Sequence, residues 1–465
     1  MSNKTKRRSF IRQIGLGLPA VAATGRLQAE NVAVSELIER PKRPAANDRV
    51  QIACIGMGIM GFGDCKAALK TDGVELVGVA DCYQGRLTRA REVFGKDLRI
   101  TRDYRELIND PSIDAVIIAA PDHWHQQMSL EALAKGKAVY CEKPMVQKVE
   151  QGAAVLEAQK KAGKAFQVGS QFVSSIVYLK ARELYLQGAI GELNFAEAYF
   201  DRFSALGAWQ YSIPPDASPQ TMDWDMFVGP APKRPFDATR FFRWRNYRDY
   251  GTGIPGDLFV HLLSMLHMIT GSSGPEKIYA TGGLRYWKDG RDVPDVTLAL
   301  FDYPKTDQHP AFNFAMRVNF VDGSGGKEGI RMVGSEGEMQ LGWTTLTIKK
   351  KKLPVAPGYG GWDSFGTFPE ATQAAFEKAY QAQYGHLRSE MQEPGELIYA
   401  APTSYGAEGS RYDHFNNWFN AIRNGAPIIE DAAFGLRAAG PAIASLVSQT
   451  EGRIIRWDPV QMKMT

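Results

Sequence analysis

The stretch "RVQIACIGMGIMGFGDC", residues 49–65, decides the fold. A short, mainly apolar run, Val50–Ile55, leads directly into Gly56, Gly58 and Gly61, spaced G-x-G-x-x-G. A strand buried on both faces reads this way. Each glycine has its own reason. The first permits the tight turn, the second lets the backbone approach a pyrophosphate, and the third lets the following helix pack closely on the strand. A helical pattern then runs through Ala67, Ala68 and Leu69. Its N-terminus, with Ile59 and Met60 at the start, presents the positive end of the helix dipole to phosphates. A second apolar strand, "VELVGVAD", ends on Asp81, twenty residues beyond Gly61. An acid there accepts hydrogen bonds from the adenine-ribose hydroxyls and repels a 2′-phosphate, so NAD is favoured over NADP. Arg86 stands close enough to keep NADP as the lesser alternative.

The alternation continues outward. "DAVIIAAP" (114–121) reads as a strand, 126–136 as a helix, "AVYCEKP" (138–144) as a strand running into a turn, 147–163 as a helix and "AFQVGS" (165–170) as a last strand. This βα repetition predicts a doubly wound parallel sheet over residues 49–169, with ligands at the carboxyl ends of the strands. Two clusters fall there: Pro121-Asp122-His123-Trp124-His125 and Glu142-Lys143-Pro144. Their position assigns Pro121, His125, Glu142 and Lys143 to the neighbourhood of the cofactor, with Lys143 beside the nicotinamide. The proline fixes the turn after Lys143. Helix capping by Asp122 and packing by Trp124 are the structural reading of the first cluster. Two histidines without a third ligand do not make a metal site.

From about residue 170 the rhythm changes. A helix over 176–188 precedes long strand-like stretches at 192–203, 276–287, 295–303, 311–321, 328–335 and 338–350. Strands without intervening helices predict a mostly antiparallel sheet for a second domain over 170–465. The connections 204–255 and 353–411 are long enough to shape a substrate cleft. Residues 412–450 are helical in pattern and are expected to pack back on the first domain. Within "GTGIPGDLFVHLLSMLHMITG" (251–271), Asp257 and His261 are four apart and share a helix face. His267 falls off that face and reads as structural.

The 465-residue chain is long enough for two such domains. Its net charge of +4 comes from the N-terminus, where Lys4, Lys6, Arg7, Arg8, Arg12 and Arg26 precede any acid; the remaining chain carries −2. That balance gives no electrostatic reason to expect nucleic acid or an anionic membrane. No apolar run reaches the roughly 18 residues of a membrane span. Residues 1–29 have the anatomy of a signal peptide, and Arg7-Arg8-Ser9-Phe10-Ile11 resembles a twin-arginine signal. The expectation is export of the folded protein by the twin-arginine machinery to the periplasm. Residues 30–48 form a polar, proline-containing arm. Cys54, Cys65, Cys82 and Cys141 have no zinc-like spacing and read as packing cysteines.

Taken together, "GMGIMG", "PDHWH", "EKP" and "GDLFVH", with "VGSEGEM" and "HFNNWFNAIRNG", resemble the Gfo/Idh/MocA family (glucose-fructose oxidoreductase, inositol dehydrogenase and relatives). The resemblance runs from residue 49 to the C-terminus. It implies a Rossmann domain followed by an α/β domain with an open-faced sheet that mediates homo-oligomers, dimeric or tetrameric. The family pattern places the catalytic lysine at Lys143 and the acid and base at Asp257 and His261, with Asp257 orienting His261 or holding a substrate hydroxyl. "PDHWH" departs from the commoner form, which has Asn where Asp122 stands; His123 and Trp124 are assigned to the sugar site. The implied activity is NAD-dependent oxidation of a secondary alcohol of a sugar, polyol or glycoside, with a tightly held cofactor. The alternative is an NAD-dependent glycoside hydrolase that works by transient oxidation and elimination, a branch expected not to keep EKP.

Overall fold

The computed structural model describes residues 49–354, 356–387, 395–406 and 408–465. The expected signal peptide (1–29) and arm (30–48) lie outside the described residues.

The first domain is built on six strands: β1 (Val50–Ile55), β2 (Val74–Ala80), β3 (Arg99–Thr101), β4 (Ala115–Ile118), β5 (Ala138–Cys141) and β6 (Phe166–Val168). They lie in the order β3-β2-β1-β4-β5-β6, and every neighbouring pair is parallel. β4 and β5 are buried at every position, as a sheet covered on both faces requires. The strand order reverses between β1 and β4, which opens a crevice at their carboxyl ends. Helix α1 (Ile59–Ala68) starts beside that crevice, and so does α2 (Asp122–Ala134).

The second domain carries a ten-stranded sheet. Its strands are β7 (Leu193–Phe200), β8 (Lys277–Gly283), β9 (Val296–Tyr303), β10 (Phe312–Asn319), β11 (Glu328–Gly334), β12 (Gly337–Leu341), β13 (Thr345–Lys350), β14 (Glu396–Ala400), β15 (Ile455–Asp458) and β16 (Lys463–Met464). The order is β14-β13-β12-β11-β7-β10-β9-β8-β15-β16. Only β7 and β10 pair in parallel; the rest are antiparallel. Burial alternates along β9 and β10, so one face is covered and the other open. Tyr279, Leu298, Leu300 and Ile398 stand exposed on the sheet. On the covered side, α3 (Val260–Thr270) is buried along its whole length, in keeping with a segment that is apolar nearly all round.

Three expectations need correction. The span 338–350 is not one strand, because Gly342 and Thr345 close a tight turn between β12 and β13. The span 353–411 is more than a connection: it holds a fifteen-residue helix, α4 (Glu370–Tyr384), and β14. That helix buries little; the aromatic partners of Phe376 and Tyr380, among them Tyr359 and Phe365, belong to the same excursion. The helical region 412–450 is two helices, α5 (Gly409–Asn424) and α6 (Ala432–Glu451). Gly425 takes the left-handed conformation that ends the first, and Asp431 caps the second by accepting from Phe434 N at 2.8 Å.

The C-terminal helix α5 completes the core of the first domain. Phe415, Trp418 and Phe419 are fully buried among the side chains of β1, β2 and α1. Tyr140 stacks on Phe415 at 4.3 Å and meets Trp418 edge-on at 5.6 Å. Trp418→Ala therefore empties a site inside the dinucleotide domain, although it lies nearly 280 residues beyond its last strand's neighbour β5. Truncation should cost about 3–5 kcal/mol in denaturant unfolding. A loss under about 1 kcal/mol would show that α5 is an accessory layer.

Candidate active site

The cofactor cradle follows from three glycines. Gly56 has φ +93°, and a Cβ there would lie 2.5 Å from Ala119 O. A Cβ on Gly61 would lie 2.0 Å from Gly56 O, so turn and helix touch backbone to backbone. Gly58 faces open space, and the α1 N-terminus begins at Ile59, an exposed residue on the cleft wall. Backbone amides that open onto a cleft this way suit a pyrophosphate. Asp81 is buried at the end of β2. Its Oδ2 accepts from Met57 N at 2.7 Å and its Oδ1 from Tyr83 N at 2.8 Å, which locks the glycine turn to the ribose-side acid. Arg86 lies 3.5 Å from Asp81 and faces the rings of Phe241 and Phe242 at 5.6 and 5.2 Å. The cradle therefore fits a dinucleotide: turn, helix end and acid are all in place.

The long connection 204–255 is stitched onto this end of the cleft. Asp223 N donates to Cys82 O at 2.8 Å, Gln84 N to Thr221 O at 2.9 Å, and Tyr83 Oη to Asp216 at 2.6 Å. The same connection supplies Tyr211, Trp244 and Arg245 to the other end. It frames the whole cleft. None of the described residues of 353–411 line it.

At the end of β5 the chain delivers Lys143 to the cleft floor. Its Nζ donates to Asp257 Oδ1 at 2.8 Å and to Asp257 O at 2.9 Å. Arg245 Nε donates to the same Oδ1 at 3.0 Å. Burial alone would raise the Asp257 carboxyl, but Lys143 and Arg245 outweigh it and hold the group far below the usual carboxylate range. A π-turn over Pro255–Phe259 precedes α3 and carries Asp257. His261, one turn on, has its ring edge against Phe172 at 5.3 Å, and its Nδ1 has no hydrogen-bond partner among the described residues. Burial first, and then the Lys143 charge, push its imidazole well below the ordinary value, so it is neutral. Asp257 and His261 share the cleft, yet the aspartate is engaged by the lysine and arginine, not by the histidine.

The "PDHWH" cluster divides. Pro121, Trp124 and His125 reach the cleft wall, as does Glu142. Asp122 does not cap α2; its Oδ2 accepts from Thr252 N at 2.9 Å and Thr252 Oγ1 at 2.6 Å. His123 is placed outside the cleft lining. Its ring nitrogens lie 2.9 Å from Phe227 O and 3.3 Å from Tyr250 O, and burial lowers its pKa to about 4. Trp124 Nε1 donates to the same Phe227 O at 3.0 Å. Both side chains anchor the 204–255 connection; His123 is thereby held outside the cleft, which corrects its assignment to the sugar site, while Trp124 keeps its place in the cleft wall. His125 ties two strand ends together, with Nδ1 2.6 Å from Pro144 O and Nε2 2.8 Å from Ala120 O. Glu142 is buried over Gly169, and burial raises its carboxyl against the pull of Lys143 and Arg411. The four cysteines are free thiols, and the described residues hold no cluster of three or more metal-ligating side chains.

Sequence reading missed Arg202, Tyr211 and Arg245. The only signal is that Arg245 stands in "RWRNYRDYGTG", twelve residues before Asp257.

Comparison with known proteins agrees with this geometry. Residues 50–170 match the model described as oxidoreductase family, NAD-binding Rossmann fold, and residues 198–279 match its C-terminal alpha/beta domain. An inositol 2-dehydrogenase of Salmonella typhimurium (strain LT2) is 31% identical over 140 residues, covering 30% of this chain and 42% of that protein. The scyllo-inositol 2-dehydrogenase (NAD(+)) of Bacillus subtilis (strain 168) is 32% identical over 145 residues, 31% and 42% of the two chains. A glycosyl hydrolase family 109 protein of Shewanella baltica (strain OS185) is 29% identical over 214 residues, 42% and 45%. The chain thus spans less than half the length of the curated relatives it matches. Among solved structures, levoglucosan dehydrogenase in complex with NADH and levoglucosan superposes with a TM-score of 0.63 at 16% identity, over 88% of this chain and 99% of that one, which shows a shared fold. The two matches, an NAD-binding Rossmann domain followed by its C-terminal domain, are those of the Gfo/Idh/MocA oxidoreductase family, which the chain resembles over residues 50–170 and 198–279.

Proposed function

We propose that the protein oxidises a secondary alcohol of a sugar, polyol or glycoside, using NAD. The observation that carries this reading is a lysine at the end of β5, held by a buried carboxylate beside a neutral histidine, at the far end of a dinucleotide cradle. NAD, when bound, supplies the two-electron acceptor for the alcohol carbon. The residues do the rest. Lys143 uses two of its three N–H groups on Asp257 and keeps one for the reacting oxygen, where it stabilises developing negative charge. His261 is unprotonated and accepts the hydroxyl proton through the ring nitrogen opposite its buried Nδ1. Asp257 acts by positioning Lys143.

A second reading draws on the family 109 relative. The same three residues could serve a hydrolase in which oxidation is transient and an aglycone is eliminated before the carbon is reduced again. In both readings a captive cofactor suits the expected twin-arginine export, since folding and loading precede the crossing. Release over hours means a Kd of about 10⁻¹⁰ M. The open sheet face with Tyr279, Leu298 and Leu300 is proposed to join subunits of a periplasmic homo-oligomer.

Denatured, the purified mature protein should release close to one dinucleotide per chain. The holoprotein is then offered sugars, polyols and aryl glycosides. Lasting absorbance in the NADH band or ketosugar product supports the dehydrogenase; aglycone without net NADH supports the hydrolase; neither with any substrate class rejects both. Lys143→Met should lower turnover on the order of 10²–10⁴-fold while dinucleotide content stays unchanged; wild-type turnover overturns the assignment. The pH profile is a further check. A base whose pKa is pushed down stays unprotonated as pH falls, so kcat/KM should remain flat through pH 6.5 and fall only well below it. An acid limb near 6.5 would mean that His261 is not the base.

A further inference from the structure

The cleft beyond the reacting group holds a cation that the proposed chemistry does not use. Arg202 is the second residue after β7, and its backbone is fixed on both sides: N donates to Asn319 O at 2.8 Å, and O accepts from Asp322 N at 3.0 Å. Its guanidinium lies over the rings of Phe200 and Phe320, at 5.0 and 5.6 Å, and Nη1 donates to Gly207 O at 2.8 Å. Nε and Nη2 make no hydrogen bond among the described residues. No described carboxylate lies within ion-pair distance of it. Its neighbour Asp201 is occupied by Arg317 at 2.9 Å.

The surroundings do not neutralise it. Lys143, Arg202 and Arg245 line this part of the cleft, against one ionised carboxylate, Asp257, which both Lys143 and Arg245 already share. Asp122 is spent on Thr252 and Glu142 lies over Gly169. Both have carboxyls raised by burial. Tyr211 stands in the same wall, and burial keeps its hydroxyl protonated and able to donate. A guanidinium clamped between two rings loses little side-chain freedom on binding, and its fork matches a carboxylate or a phosphate.

We propose that the substrate is an anionic sugar, whose carboxylate or phosphate group docks on Arg202 with Tyr211 and Arg245 beside it. This rests on the sugar-oxidoreductase reading of the site and narrows it. Arg202 makes no hydrogen bond to Lys143, Asp257 or His261, so its assigned role is to set specificity.

The test titrates the holoprotein, by its tryptophan fluorescence, with D-glucuronate, D-galacturonate, D-gluconate and glucose 6-phosphate, and with glucose and galactose as neutral counterparts. At least one acid should bind about tenfold or more tightly than its neutral counterpart, and added salt should shrink the gap. The sugar acids and the phosphate tell which anion is read. Arg202→Gln should bring the ratio close to one, and Arg202→Lys should keep part of it. Equal affinities for acid and neutral sugar in the wild type overturn the inference, and so does a ratio unchanged in Arg202→Gln. If the glutamine variant does not fold, the wild-type ratio, its salt dependence and the lysine variant decide. NADH absorbance followed in the same titrations separates the two ideas. Acid binding without any redox signal retains the anion site and counts against the dehydrogenase; redox signals with neutral sugars and no acid preference do the opposite.

Discussion

Everything at the reacting end of the cleft depends on one carboxylate, Asp257, between Lys143 of the first domain and Arg245 of the second. Taking these ions out of water costs about several kcal/mol each, and their attraction repays that only when geometry and hydrogen bonding are good. Here the aspartate accepts from Lys143 at 2.8 Å and from Arg245 at 3.0 Å on a single oxygen, and its main-chain oxygen takes a second lysine proton. The return is positional. A lysine on a flexible stem ends at one place, across the domain boundary, with one N–H left to use. The π-helical turn over Pro255–Phe259 contributes the main-chain oxygen of Asp257, which accepts from Lys143 at 2.9 Å.

The dinucleotide end is held by a comparable device, a buried carboxylate that accepts from main-chain amides. Asp81 grips Met57 N and Tyr83 N, which couples the glycine turn to the end of β2. Tyr83 in turn reaches Asp216 on the long connection, and His123 and Trp124 fasten that connection at Phe227. The 204–255 segment is therefore held to the first domain on both sides of the crevice, while its own residues Tyr211 and Arg245 face the second half of the site. Cofactor end and substrate end are set by one continuous piece of chain.

What was legible in the sequence was what repeats locally. The glycine spacing, the Asp81 offset and the βα alternation each act within a few tens of residues, and all appear in the six-stranded sheet. The placement of Lys143 at a strand's carboxyl end and of Asp257 and His261 in one helical segment could be read in the same way. The partner of Asp257 could not, because Lys143 lies 114 residues away and periodicity says nothing about such pairings. Arg202 and Arg245 were illegible for the same reason: a strand-end arginine and a loop arginine look like solvated charges until the rings of Phe200, Phe320 and Trp244 are placed around them. His123 failed in the opposite sense. Its motif advertised a site, and its two ring nitrogens turned out to face backbone carbonyls.

The same lysine that keeps Asp257 ionised helps keep His261 neutral, so the two groups are driven apart along the proton scale. That separation divides the labour. Asp257 holds its charge too firmly to exchange a proton and can only position; His261 starts empty and can receive one. The same environment makes a protonated His261 a costly state, because its charge would stand near Lys143 and Arg202. A proton taken there is readily given back. The electrostatics of three residues thus fit the two groups to different tasks in one cleft: Asp257 fixes the lysine, and His261 is the one free to exchange a proton.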